Sequence, residues 1–373
     1  MEGIRDKVAI IGMGCTKFGE LWDKGVGDLI IDAAYEAFED AGLGPDDIQA
    51  AWIGTVFSGL SAITLAPLRL NYAPVTRVEN MCATGSEALR AATYAVAAGA
   101  CDIALALGVE KLKDSDQVGL AGPAVVGSST VGNSGVVPGY SPPAAFAYLA
   151  SRYFHAYGIS PEEGKKLLAR IAVKNHHNGS LNPKAHFQNE LTEAAVIKAP
   201  IVAWPLGLFD CCGVSDGAAA AIVTRADMAR QFRADPIYIK ASAICTGARE
   251  GAMRQDYDFT HMEENVRGSK RAYAEAGVKE PRKEISIAEV HDCFTIHEMV
   301  VYEDLGFSPK GRASEDVRAG TFTLEGELPV NTDGGLKCFG HPLGASGLRM
   351  MYEVYKQLQG KAGKRQVKNP RLG

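Results

Sequence analysis

Two helix starts, far apart in the chain, offer a sulfur and an imidazole that together could form an activated nucleophile. Cys82 stands in Glu79-Asn80-Met81-Cys82-Ala83-Thr84-Gly85-Ser86. A thiol at a helix start faces unpaired N–H groups and the positive end of the helix dipole, which favour thiolate over thiol. Taken alone, the same residue also fits a small hydrophobe in a tightly packed helix. His341 stands in Gly340-His341-Pro342-Leu343-Gly344-Ala345-Ser346-Gly347, where three glycines and a proline surround it. A solitary histidine there could be structural, but opposite a cysteine it becomes the base that activates a thiol.

A second group is Glu289-Val290-His291-Asp292-Cys293-Phe294. It follows an apolar segment with the look of a parallel strand, and α/β sheets place ligands beyond the carboxyl ends of such strands. His291 could hold a water or a carbonyl oxygen, and Cys293 could exchange a proton. A metal site of His291, Cys293, His297 and Glu298 is the competing reading; it lacks a paired ligand motif, so no metal is expected. Trp204-Pro205 could line a pocket, or the tryptophan could be buried in a loop. His176 and His177 end a lysine-rich helix and are expected to be solvated. Cys211 and Cys212 fit packing better than redox chemistry. No glycine string follows a strand in a nucleotide-binding form.

These residues need positioning elements. Residues 8–12 form a β-branched apolar run, 51–54 and 103–108 two further strands, and 216–223 another. A helix follows the first run, with Ile30, Ala33, Ala34, Ala37, Phe38 and Ala41 on one face and Gly42 as its stop. Residues 82–98 read as a second helix. Alternating strands and helices imply a mostly parallel sheet covered on both faces. From 111 to 143 glycines and prolines interrupt any period. Helices resume at 144–157 and 161–176.

The second half repeats the first. Residues 237–243 read as a strand like 8–12. Tyr273-Ala274-Glu275-Ala276-Gly277-Val278 echoes Phe38-Glu39-Asp40-Ala41-Gly42-Leu43, and 288–291 falls where 51–54 fell. Cys82-Ala83-Thr84-Gly85 with Leu89-Arg90 matches His341-Pro342-Leu343-Gly344 with Leu348-Arg349. Four echoes in one order argue for duplicated halves, 1–235 and 236–373. If the halves pack about a pseudo-twofold axis, Cys82 and His341 meet at its centre. The second-half helix is followed only by a basic linker, so the last strands of that half are expected to be missing by truncation.

Composition narrows the class. The 373 residues carry 39 Lys and Arg against 44 Asp and Glu, a net charge of −5, which leaves no basic excess for nucleic acid or an anionic membrane. No apolar run is long enough for a membrane span, and the amino terminus lacks a secretory signal. The eight cysteines are scattered, as reduced and mostly buried thiols of a cytoplasmic protein would be.

The sequence resembles the thiolases, in the sterol-carrier-protein-type branch that includes archaeal acetyl-CoA acetyltransferases. Asn80-Met81-Cys82-Ala83-Thr84-Gly85, His291-Asp292-Cys293-Phe294, and Asn331-Thr332-Asp333-Gly334-Gly335 leading to Gly340-His341-Pro342 carry the likeness, which extends from Val8-Ala9-Ile10-Ile11-Gly12 to Gly363-Lys364-Arg365-Gln366-Val367. The resemblance implies an α/β fold of duplicated halves in a five-layered α-β-α-β-α core, a loop domain at about 111–200, and a homodimer or tetramer. It implies that Cys82 takes the acyl group as a thioester, His341 activates it, His291 serves an oxyanion hole, and Cys293 shuttles the α-proton. Acyl-CoA and CoA are then substrates, no cofactor is bound permanently, and Trp204 and Gly340 are weak candidates for touching CoA. A small partner combining a zinc ribbon and an OB-fold is a further implication, as is a role in lipid or aromatic acid metabolism. A ketosynthase, a retro-aldolase and a noncatalytic acyl-CoA-binding subunit are the alternatives; the presence of Cys82 argues against the retro-aldolase.

Overall fold

A computed structural model describes residues 3–58, 66–70, 72–113, 141–248 and 256–373, and most of the irregular stretch at 111–143 lies outside them. The described residues include eight strands: β1 Val8–Cys15, β2 Ala50–Gly54, β3 Val75–Val78, β4 Ile103–Glu110, β5 Ile201–Ala203, β6 Leu206–Gly207, β7 Gly217–Arg225 and β8 Ile237–Tyr238. Seven helices frame the argument below: α1 Val26–Ala41, α2 Thr84–Ala97, α3 Pro142–Ala156, α4 Pro161–Ser180, α5 Glu263–Ala276, α6 Thr295–Asp304 and α7 Leu343–Leu358.

The main sheet has the order β3-β2-β4-β7-β1-β8. It is mixed, not mostly parallel as the alternation of elements predicts. β2 pairs parallel with β3 and β4, whereas β7 runs antiparallel to both β4 and β1, and β8 antiparallel to β1. The reason lies in the connections: β7 returns to the sheet after the long excursion that follows β4, so no single crossover helix fixes its direction.

Amphipathic spacing decides the layers. α1 buries Leu29, Ile30, Ala33, Ala34, Ala37, Phe38 and Ala41 against one face of the sheet and ends at Gly42, whose φ of +69° closes the helix. The other face is covered by α2 and α7, through Ala88, Leu89, Ala92, Ala345 and Leu348 packed on Val8, Ile10, Ala104 and Ala221. The alanines of β7 keep that surface shallow, so helices can approach it closely.

The second half departs from its expected strands. Of 237–243 only β8 is regular, and it joins β1 of the first sheet, where the Ile239 N–H extends the ladder to the Val8 carbonyl at 3.0 Å. The strand expected at 288–291 is reduced to a parallel bridge between Ala288 and Val330. This extended segment lies between two others, with the Ser286 N–H donating to the Leu372 carbonyl at 2.8 Å and the Ala288 N–H to the Pro329 carbonyl at 3.1 Å. With the Asn331 N–H returning to the Ala288 carbonyl at 2.9 Å, two backbone bonds on one side and one on the other hold the chain extended without making a longer ladder. The fold is α/β, with helices on both faces of a central mixed sheet.

Where α2 and α7 begin, the two halves touch backbone to backbone. A Cβ placed on Gly85 would come within 2.8 Å of the Gly344 carbonyl oxygen, and one on Gly344 within 2.7 Å of the Gly54 oxygen. Only glycines permit this approach. It brings the start of α7 to the carboxyl ends of β2 and β4, next to the start of α2. The convergence expected from the repeat is present.

Candidate active site

Cys82 sits on a short 3₁₀ turn, Met81–Ala83, that leads into α2. Met81 holds a left-handed φ of +45°, and the Thr84 hydroxyl caps the turn by donating to the Met81 carbonyl at 2.6 Å while accepting the Asn80 N–H at 2.8 Å. His341 follows Gly340, whose φ of +122° reverses the chain out of the 335–339 helical turn. Asp292 ties this turn to the His291-Asp292-Cys293 segment: its carboxylate accepts the Leu336 N–H at 2.6 Å, the Lys337 N–H at 3.2 Å and an Asn175 amide at 2.8 Å. Arg349, fully buried on α7, reaches Glu289 at 2.9 Å and Asp333 at 2.6 Å, so one side chain spans the two segments that carry His291 and His341.

The result is one cavity of about 190 Å³. Cys82, His291, Cys293 and His341 line it together with apolar walls that include Phe57, Leu112, Phe146 and Val214. The Cys82 sulfur and a ring nitrogen of each of His291 and His341 lie within 4.8 Å of one another, and the same holds for His291, Cys293 and His297. The His291 and His341 rings meet edge to face at 5.1 Å.

Burial sets the protonation states. It pushes the Cys82 thiol up to about 11, with only the residue's own backbone N–H acting in the other direction. The thiolate preference expected of a helix start is therefore absent. The dipole of α2 is outweighed because the sulfur faces apolar walls brought in by four distant segments. Burial also holds His291 down to about 4, with Arg349 adding to the effect, and drives His341 well below its ordinary value. Both imidazoles are neutral near pH 7, as is the thiol.

The hydrogen bonds define a tautomer for His341. The Ser346 hydroxyl donates to the Pro342 carbonyl at 3.0 Å, so its oxygen accepts the Nδ1–H of His341 at 2.7 Å. That leaves an unprotonated Nε2, buried and without a hydrogen-bond partner among the described residues. A free imidazole lone pair beside a neutral thiol is a general base poised to act during attack rather than before it. Ser346→Ala is expected to slow acylation of Cys82 about tenfold or more by releasing the tautomer, without weakening CoA binding. A quench-flow time course of acyl-enzyme formation within twofold of wild type would remove this role.

Other expected residues fall elsewhere. Trp204 is 59% exposed, between β5 and β6, so it is neither buried nor part of the cavity lining. Gly340 is also outside the lining; a Cβ there would strike the Ser215 hydroxyl at 2.6 Å, which explains the glycine by packing. His176 is buried, not solvated, because α4 turns it onto the Asn189 carbonyl at 2.9 Å and against Phe187. Cys212 is a free thiol that lines the cavity. The region expected to form a loop domain contributes Leu112, Pro142 and Phe146 to the lining; residues 114–140 lie outside the described ones.

The sequence reading did not single out Ser346 or Asp292, although both lie inside motifs it quoted. Glu298, a ligand in the competing metal reading, is held by Lys174, Tyr302 and an Asn175 amide, and is not among the cavity-lining residues. The donor sets compact enough for a soft cation, among the described residues, are Cys82 with His291 and His341, and His291 with Cys293 and His297. No helix among the described residues is long and apolar enough to cross a membrane.

Comparison with known proteins follows the geometry. Residues 8–227 match the family model described as thiolase, N-terminal domain, and residues 246–373 match the one described as thiolase C-terminal domain-like. The acetyl-CoA acetyltransferase of Methanothermobacter thermautotrophicus is 40% identical over 98% of this chain and 94% of its own length. Sterol carrier protein 2 of Gallus gallus is 32% identical over 97% of this chain and 67% of its own. Among solved structures, the Ltp2-ChsH2(DUF35) aldolase superposes with a TM-score of 0.84 at 24% identity, over 98% of this chain and 93% of that one.

Proposed function

As this chain belongs to the thiolase family of acyltransferases, we propose that it cleaves a 3-oxoacyl-CoA with CoA, or runs the reverse Claisen condensation, through an acyl-enzyme on Cys82. One observation carries the proposal. The Cys82 sulfur and ring nitrogens of His291 and His341 share a space of 4.8 Å, although Cys82 lies more than 200 positions from either histidine in the chain.

In cleavage, the Cys82 sulfur attacks the 3-oxo carbonyl while His341 Nε2 takes its proton. The carbon–carbon bond then breaks, leaving an acyl group on Cys82 and a CoA-thioester enolate. The protonated His341 and the His291 N–H stabilise the enolate oxygen, a contribution of about 10²–10³ in rate per donor. Cys293 protonates the enolate carbon. A second CoA then lifts the acyl group from Cys82, and splitting the reaction at the thioester replaces one difficult step with two easier ones.

The substrate is a CoA ester whose acyl chain lies against Phe57, Leu112, Phe146 and Val214. A homo-oligomer and a small zinc-ribbon/OB-fold partner belong to the same proposal. The pairing with DUF35 in the superposed aldolase supports the partner. Mass spectrometry of Cys82 after incubation with a panel of 3-oxoacyl-CoA esters tests the function. A thioester on Cys82 from at least one ester is expected. Acylation at another residue, or none while CoA esters still bind, would replace the enzyme reading with that of a binding subunit.

A further inference from the structure

We infer that His297 is a positioning residue for Cys293, whose sulfur it holds with Nδ1 and supports as a thiolate during proton transfer. The inference rests on the acyl-enzyme reading above. His297 lies in the first turn of α6 and Cys293 immediately before the extended Phe294 N-cap, so the entry of the chain into the helix sets the ring beside the sulfur. The Cys293 Sγ and His297 Nδ1 are 3.9 Å apart, within reach for a sulfur hydrogen bond. Among the described residues no other side chain bonds that sulfur, and the Phe294 backbone N–H is its one further donor. The ring is held on two sides, 5.1 Å from Phe146 and 5.0 Å from His291.

Nothing in the packing accounts for a histidine at this place. Its Nε2 is buried without a partner among the described residues, where phenylalanine or leucine would leave no polar atom unsatisfied. Burial keeps the imidazole neutral, so it acts through a fixed N–H and not through charge. Proton transfer makes use of such a donor. In condensation, the Cys293 thiol gives its proton to the departing CoA thiolate once the acyl group has moved to Cys82. The resulting Cys293 thiolate then takes the α-proton of the second acyl-CoA and becomes a thiol again. His297 keeps its own proton throughout. Between the two transfers, an anion sits among Phe146, Phe294 and Cys212, and an N–H aimed at it determines how long it survives.

The test follows α-proton exchange of acetyl-CoA in deuterated water alongside acylation of Cys82. His297→Phe keeps the ring stack and loses the donor; it is expected to exchange about 10²-fold more slowly while acylating at the wild-type rate. His297→Asn carries an amide N–H at the place of Nδ1 and should recover exchange to within about tenfold of wild type. His297→Gln puts its amide where Nε2 was and should stay slow. Exchange in the phenylalanine variant within threefold of wild type overturns the inference. If that variant does not fold, equal rates in the asparagine and glutamine variants overturn it. Failure of wild type to acylate Cys82 sinks the acyl-enzyme reading, and this inference with it.

Discussion

Cys82→Ser is expected to lower thiolysis by roughly 10³–10⁵ while leaving the fold and CoA binding intact. The magnitude follows from the base. His341 is a neutral imidazole whose basicity burial has reduced, and it can take a proton from a thiol near 11 only as the carbonyl is attacked. A serine hydroxyl is a far weaker acid, so the same base has too little driving force to move its proton. The neutral pair also has a pH signature. Below its pKa the thiolate fraction of Cys82 grows about tenfold per pH unit, so alkylation by iodoacetamide should keep rising at that slope through pH 9, and acyl-CoA should protect. A helix-activated thiolate would instead alkylate at a constant rate above pH 7. Thiolysis by the serine variant near the wild-type rate, or an alkylation plateau by pH 8, would show that the nucleophile or its protonation has been wrongly assigned.

The pairing of Cys82 with His341 was legible because the chain states it twice. Cys82-Ala83-Thr84-Gly85 and His341-Pro342-Leu343-Gly344 occupy equivalent positions, and equivalent positions in duplicated halves converge on the axis between them. The glycines that make the contact, Gly85 and Gly344, are part of the same echo. Strand direction was not legible. β7 has the alternation-free apolar character of a buried strand whether it runs parallel or antiparallel, and the long excursion before it removes the crossover rule that would choose. The second-half strands failed for a related reason, since an apolar run becomes a strand only where neighbours offer it a ladder, and Ala288 finds a single bridge.

Electrostatics was the least legible layer. A helix start near Cys82 is visible in one segment, but the desolvation that opposes it comes from Phe57, Leu112, Phe146 and Leu343, which no local reading assembles. Asp292 was hidden in the same way. Within its motif it reads as a carboxylate among candidate catalytic groups. In the fold it accepts two N–H groups from the turn that delivers His341, and burial beside Glu298 raises it to about 7. Ser346 is visible only once α7 shows that its hydroxyl returns to Pro342 and to the His341 ring.

Cys293→Ala is expected to separate the two halves of the reaction. Forming the Cys82 thioester needs the sulfur, the His341 base and an oxyanion donor, none of which the substitution removes; with Cys293 gone, the departing CoA thiolate takes its proton from the protonated His341. Carbon–carbon bond making or breaking needs a proton at the α-carbon, and Cys293 is the one further cavity-lining thiol that shares the His291 cluster. The variant should therefore form the Cys82 thioester and stall. Exchange of the acetyl-CoA α-proton into deuterated water should fall by about 10²–10⁴, the usual contribution of a positioned acid or base. The lost sulfur leaves a small void beside Phe294 and His297, and Cys293→Ser fills it while restoring a poor proton carrier. Serine should then recover stability but little exchange. Cys212 lines the same cavity and supplies the internal control: Cys212→Ala opens a comparable void without touching the proposed proton path. Loss of exchange in both alanine variants would point to packing, and loss in Cys293→Ala alone to the proton. Undiminished exchange in Cys293→Ala would move the α-proton to another group, with His291 and His297 the two imidazoles of its cluster.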